Sequence, residues 1–147
     1  MPTSHVQIVM PPHVNGMNRL FGGQLMAWID TTAAVEARRH TGRQVITAVV
    51  DNLSFLGPAF LDETARLEAR VTWTGKTSLE VRVDSFAEPL SGTKRLINRA
   101  YLVFVALDDE GKPVPVPPFE PQTAEEKEEW NRALERRKHR LLSRPAL

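Results

Sequence analysis

The 147-residue chain contains no cysteine. That excludes a disulfide framework, a thiolate nucleophile and any cysteine-ligated metal site. A cysteine-free chain is allowed in any compartment and fits a cytosolic one. No apolar run approaches ~20 residues, and the N-terminus lacks the charged-then-apolar layout of a signal peptide, so a soluble, cytoplasmic protein is expected. One-sided charge is missing too. Nineteen basic and 18 acidic side chains leave a net charge of +1, with the two signs interspersed, so there is no field suited to nucleic acid. There is no Gly-x-Ser-x-Gly elbow, no Walker loop and no dinucleotide fingerprint. No internal repeat appears. The length suits one domain, able to bury roughly two thirds of its unfolded surface.

What is present centres on residues 15–30. Asn15-Gly16 and Asn18 tolerate positive φ and read as a turn, and Gly22-Gly23 let the backbone approach something bulky. From Gln24 a helical run reaches about His40 and is closed by Gly42. Leu25, Met26, Ile29, Ala33 and Ala37 recur at three- and four-residue spacing, so the helix buries a broad stripe. Asp30 sits on that stripe, where a carboxylate is unfavourable unless something pairs with it or uses it. The glycine pair opens the helix, where the first-turn N–H groups lack helical partners and carry the positive end of the dipole. A phosphate or a developing oxyanion fits there. A plain tight turn, with Asp30 satisfied by neighbouring backbone, fits the same pattern.

The remaining elements are mostly strands. Residues 5–10 alternate Val6, Ile8 and Met10 against His5, Gln7 and Val9, and Pro11-Pro12 end the run. His13 reads as a turn residue, since no partner histidine stands at metal-ligand spacing. Arg38, Arg39 and His40 are helix-end charges. Residues 45–50 are almost continuously apolar and β-branched, the pattern of a strand buried on both faces. The run continues to Leu56 and breaks at Gly57-Pro58. Residues 64–74 place Ala65, Leu67, Ala69, Val71 and Trp73 on one face. A turn at Gly75, Lys76, Thr77 and Ser78 leads to Leu79, Val81 and Val83 alternating with Glu80, Arg82 and Asp84. Residues 95–107 make the last long strand. Strand, long helix, then four strands predicts an α+β fold, an antiparallel sheet wrapped around one central helix. The proline-rich stretch from Pro113 leads to a charged helix at residues 119–147, separate in kind from a domain at 1–118. Thr123 is its N-cap, acids fill its first turns, and Arg132, Arg136, Arg137, Lys138 and Arg140 load its other end. Trp130, Leu134, Leu141 and Leu142 leave a thin apolar stripe. Two readings stay open, a solvated helix docking weakly on its own or a neighbouring subunit, and a basic arm that meets phosphates or another protomer.

Pro11-Pro12-His13-Val14-Asn15, followed by Leu20-Phe21-Gly22-Gly23-Gln24-Leu25-Met26-Ala27-Trp28-Ile29-Asp30, resembles the hotdog-fold acyl-CoA thioesterases, in their cytosolic acyl-CoA hydrolase branch. Val45-Ile46-Thr47, Asp51-Asn52-Leu53-Ser54-Phe55, Gly57-Pro58, Gly75-Lys76-Thr77-Ser78 and the stretch from Ala100 to Pro117 match in order, covering roughly residues 5 to 118. Two positions depart from the family pattern. Phe21 stands where many relatives have a histidine, and Asn18 stands where glycine is common, although asparagine still reaches the left-handed region.

The resemblance implies a hotdog fold and a hydrolase that cleaves acyl-CoA to a free acid and CoA, in fatty acid metabolism, without metal or cofactor. Hydrolysis of a thioester needs an oxyanion site, and either a base to deprotonate water or a carboxylate to attack in its place. Asp30 can be that base or nucleophile, the Gly23 N–H the oxyanion donor, and Asn15 the amide that orients water or holds the carbonyl. Helix start and Asp30 lie on the order of 10 Å apart along the axis. The resemblance therefore implies a site shared across a dimer, Asn15 and Gly23 from one protomer meeting Asp30 from the other, and a trimer of dimers making a homohexamer. It also implies that Gly75, Lys76, Thr77 and Ser78 lie along the CoA moiety, and that Gly22, Thr47 and Phe55 line the substrate site. An ordinary hairpin turn remains an alternative for residues 75–78, and a plain strand position for Thr47. Two other functions fit the same fold. An enoyl-thioester hydratase needs a histidine near the central helix, and His40 is poorly placed for that. A non-catalytic acyl-CoA-binding or sensing module would tolerate loss of Asp30.

Overall fold

The computed structural model describes residues 2–143, apart from the side chain of Asn52. Strand β1 (Thr3–Ile8) leads through a 3-10 turn at Pro11–His13 to helix α1 (Gly22–Thr41). Strands β2 (Gln44–Phe55), β3 (Thr64–Thr74), β4 (Ser78–Glu88) and β5 (Arg95–Leu107) follow, then helix α2 (Ala124–Leu142). The five strands form one sheet in the order β1-β3-β4-β5-β2, and every neighbouring pair is antiparallel. Helix α1 lies on the inner face of the sheet. Leu25, Ile29, Ala33 and Ala37 form a common core with Leu67, Val81, Val83, Leu102 and Phe104. Gly42, with φ 66°, ends the helix in the left-handed conformation, its N–H bonded to the Arg38 carbonyl. Helix, cap and strand order all match the pattern read from sequence.

Two side-chain assignments, in β2 and β3, differ from it, and β1 shows which side of its alternation faces inward. In β1 the buried residue is Thr3, with Val9 just beyond the strand, while Val6 and Ile8 point outward at 58% and 54% exposure. Strand β2 is an outer strand of the sheet. Ile46, Val49 and Val50 stand exposed, so the expectation of burial on both faces fails within one chain. An apolar pattern says which faces avoid water, and does not say which chain covers them. In β3 a register shift between Val71 and Trp73 sets Trp73 opposite Glu80. Such a bulge changes the alternation. Val71 joins the inner core, whereas Trp73 meets Trp130 of α2 at 6.3 Å between ring centroids.

Helix α2 covers part of that outer face. The helix starts at the expected cap, with Thr123 Oγ1 accepting from the Glu126 N–H and the Glu126 carboxylate accepting from the Thr123 N–H. It docks on its own sheet mainly through charge. Arg136 forks onto both carboxylate oxygens of the fully buried Glu80 at 2.7 and 2.9 Å, and lies 3.6 Å from the Tyr101 ring centroid. Arg82 bridges Glu129 at 2.9 Å and Asp84 at 3.0 Å, and Arg99 reaches Asp84 at 2.6 Å. Arg140 pairs with Asp51 on β2 at 3.0 Å. Glu80, Arg82 and Asp84, on the face opposite Leu79, Val81 and Val83, are therefore buried, each with an opposite charge. Glu80→Ala leaves Arg136 buried without its main partner, and removing one member of a buried pair is worth about 3–5 kcal/mol. Urea denaturation of that variant should show a lower midpoint with an unchanged slope.

Candidate active site

Helix α1 begins without a side-chain cap, Phe21 holding the N-cap position in extended conformation. The Leu25 N–H is bonded to the Phe21 carbonyl at 3.1 Å, so the N–H groups of Gly22, Gly23 and Gln24 precede the helical ladder. Both glycines border aromatic rings. A Cβ at Gly23 would stand 2.7 Å from Phe21 Cε1, and one at Gly22 would touch Phe55 at 3.7 Å. Gly22 and Phe55, assigned separately from sequence, are thus neighbours. The requirement at Gly23 is for space, since its φ is not positive.

Asn15 shapes the loop before the helix. Its Oδ1 accepts from the Met17 N–H at 2.9 Å and the Arg19 N–H at 3.3 Å, while the Arg19 carbonyl accepts from the Asn15 N–H. Asn18 sits at φ 57°, the left-handed conformation that sequence allows there. With Oδ1 engaged, the Asn15 amide presents its NH2 donor outward, which suits a carbonyl oxygen. His13 is the turn residue expected: its Nδ1 accepts from the Met10 N–H at 3.0 Å and its ring meets Trp28 edge-on.

The segment between β2 and β3 supports that loop, a role sequence reading missed. The Leu20 N–H bonds the Ala59 carbonyl at 2.7 Å, and the Leu61 N–H bonds the Asn18 carbonyl at 3.0 Å. Glu63 and Arg95 clamp the segment with two hydrogen bonds of 2.6 and 2.9 Å, and Arg95 also reaches the Pro58 carbonyl. The Arg95 fork, helped by the Phe60 N–H and opposed by partial burial, holds the Glu63 carboxyl below its ordinary value of about 4.5. A depressed folded-state value stabilises the protein above that ordinary value and ceases to do so as pH falls through the folded one. Below about pH 4.5 the urea midpoint should therefore drop, and Glu63→Gln should lose part of that pH dependence while being less stable at pH 7.

Asp30, half-buried on α1, accepts a hydrogen bond from Thr47 Oγ1 at 2.7 Å. The threonine hydroxyl engages Oδ1 and leaves Oδ2 available. The fold thus brings Thr47, from β2, onto Asp30 of the central helix.

The residue 75–78 turn is tied in place by backbone. The Gly75 N–H bonds the Ser78 carbonyl at 2.8 Å, and the Lys76 and Thr77 carbonyls accept from Val116 and Ala106. Sheet register fixes where this turn lies. Thr47 and Leu79 flank Phe104 of β5, whereas Phe55 and Ser85 flank Asn98. Six positions of β5 separate these rows, on the order of 20 Å. Asp30, Thr47 and the residue 75–78 turn therefore gather toward one end of the sheet. Gly22, Gly23, Phe55 and the Asn15 loop gather toward the other.

A cleft of about 590 Å³ elsewhere, lined by Glu36, Arg39, Arg70, Arg82, Phe119 and Glu129 among others, includes none of these residues. His40 bonds the Pro117 carbonyl at 2.7 Å. Among the described residues no trio of His, Asp or Glu is grouped to hold a metal, and no helix is long and apolar enough to cross a membrane.

With that geometry in view, comparison with known proteins is specific. The family model described as the thioesterase superfamily matches residues 17–92. An uncharacterized acyl-CoA thioester hydrolase of Bacillus subtilis, YkhA, is 44% identical over 133 residues, 90% of this chain and 77% of that relative. The acetyl-coenzyme A thioesterase of Mus musculus is 34% identical over 140 residues, but this chain spans only 25% of its length. Among solved structures, an apo hexameric acyl-CoA thioesterase superposes with a TM-score of 0.91 at 39% identity, over 95% of this chain and 90% of that one. The Staphylococcus aureus acyl-CoA hydrolase, solved with butyryl coenzyme A, coenzyme A and coenzyme A disulfide, gives 0.90 at 37% identity, over 97% and 88%. The chain belongs to the thioesterase superfamily. Within it, the fold is the hotdog arrangement, with α2 lying against the outer face of the sheet.

Proposed function

We propose that this protein hydrolyses acyl-CoA, with water adding to the thioester carbonyl and CoA leaving as the thiol to give the free acid. The Asp30–Thr47 hydrogen bond carries this reading, since it holds a half-buried carboxylate in one orientation with one oxygen unengaged. Asp30 acts as general base on water or as nucleophile, the Gly23 N–H donates to the developing oxyanion, and the Asn15 amide donates to the carbonyl or orients water. Support comes also from a spacing. Alanine variants of the Staphylococcus aureus hydrolase have been solved at an asparagine, an aspartate and a threonine. The first two are 15 residues apart and the last two 17, the spacing of Asn15, Asp30 and Thr47 here.

The two groups of site residues lie at opposite ends of one sheet, so one protomer does not complete a site. Strand β2 suggests how two do. It is a 12-residue outer strand with Ile46, Val49 and Val50 exposed, and such an edge tends to pair with another chain. Antiparallel pairing of two β2 edges about a two-fold axis near Val50 brings Thr47 and Asp30 of one protomer toward Phe55, Gly22 and Gly23 of the other. Three such dimers would make a hexamer. The acyl chain would run past Leu20, Trp28, Phe55 and Phe60, and the CoA moiety past Gly75, Lys76, Thr77 and Ser78. The reaction needs no metal or cofactor, and we place it in the cytoplasm, in fatty acid metabolism. Steady-state CoA release from acyl-CoAs of short to long chain tests the reading. Turnover supports it, and CoA binding without turnover would favour a sensing module.

A further inference from the structure

We propose that Arg137 of α2 is a CoA-binding residue that meets a phosphate of the CoA moiety beside the residue 75–78 turn. The inference rests on the assignment of that turn to CoA. Four arginines in α2 have described surroundings, and three have carboxylate partners: Arg132 with Glu128, Arg136 with Glu80 and Glu129, and Arg140 with Asp51. Among the described residues Arg137 has none. Its guanidinium instead lies 5.6 Å from the centroid of Trp73.

Trp73 connects that cation to the turn. The β3 bulge brings the indole to the outer face, where it is 5% exposed and packs on Trp130. Its six-membered ring edge abuts Gly75. A Cβ there would stand 2.5 Å from Trp73 Cη2 and 3.3 Å from Ser78 Oγ. One indole thus touches the turn and carries Arg137, and Lys76, exposed in the turn itself, adds a second cation. A guanidinium held near a ring by cation–π attraction, with no carboxylate partner, keeps its N–H donors available, and its planar fork matches a phosphate bidentately. Backbone N–H groups and the Thr77 and Ser78 hydroxyls are suited to neutral pantetheine and supply no positive charge. Arg137 provides what the phosphates require, from an element that the thioester chemistry does not use. This also gives α2 a role beyond covering the sheet, since the ionic contacts of Arg136 and Arg140 fix where Arg137 stands.

The test compares Arg137→Gln and Arg137→Lys with wild type by two measurements. Calorimetry reads the binding of CoA alone. Steady-state assays use acyl-CoA and the acyl-pantetheine thioester with the same acyl group, which lacks the nucleotide phosphates. Arg137→Gln should weaken CoA binding and raise KM for acyl-CoA roughly tenfold with kcat unchanged, the scale of losing a hydrogen bond to a charged group. It should leave acyl-pantetheine turnover as in wild type, and Arg137→Lys should recover part of the loss. An equal change on both substrates would make Arg137 merely structural, and no change on either would remove it from the site; both overturn the proposal. Wild type that binds CoA without hydrolysing any thioester would sink the thioesterase reading alone, and the binding comparison would still decide the role of Arg137.

Discussion

Asp30→Asn is expected to lower kcat at least ~100-fold while CoA still binds, because a general base or nucleophile contributes that much or more. The substitution is close to isosteric. Asparagine can still accept from Thr47 Oγ1, the contact that holds the carboxylate at 2.7 Å, so the local structure should persist. What disappears is the group that takes a proton from water or attacks the carbonyl. Equal CoA binding by both proteins, measured by calorimetry, separates loss of chemistry from loss of the site. An Asp30→Asn protein with wild-type kcat would make Asp30 a structural residue and remove the mechanism proposed above.

A larger qualitative effect is expected from mixing two inactive proteins. If Asn15 of one protomer serves Asp30 of the other, Asn15→Ala and Asp30→Asn homodimers each carry only damaged sites. In a heterodimer one site receives both defects and the other receives none. Random re-pairing from equal amounts makes half of the dimers mixed, so activity should recover to about a quarter of wild type, from a starting point near zero. Co-refolding or co-expression followed by the CoA-release assay reads this directly. Failure to recover activity, with mixed dimers demonstrated by differently tagged chains, would place Asn15 and Asp30 in one protomer's site. The register of β5 argues against that, since the rows through Thr47 and Phe55 are on the order of 20 Å apart.

Much of the fold is legible in local sequence. The apolar spacing of α1, its Gly42 cap, the Gly22-Gly23 opening and the misfit of Asp30 are local properties, and each appears where the pattern predicts. The cap of α2 at Thr123 is equally local. Alternation also found the inward residues of β3 as far as Val71, and Leu79, Val81 and Val83 of β4. It went wrong at Trp73, because a bulge inserts one residue and alternation assumes none. Alternation set Glu80, Arg82 and Asp84 on the opposite face from Leu79, Val81 and Val83, but could not show that this face is buried, because that depends on the opposing charges. Here Arg136 and Glu129 arrive from a helix about 50 residues further along.

The sequence by itself determined the element order and the central helix. Those follow from spacing and residue type over a few turns of chain. Only the tertiary structure decided that Thr47 holds Asp30, that Glu63 and Arg95 brace the segment under the Asn15 loop, and that α2 lies over the sheet with Arg137 against Trp73. Each of these contacts joins residues 17 to 64 positions apart. Pairings at that distance depend on strand register and on which element covers which face, and periodicity encodes neither.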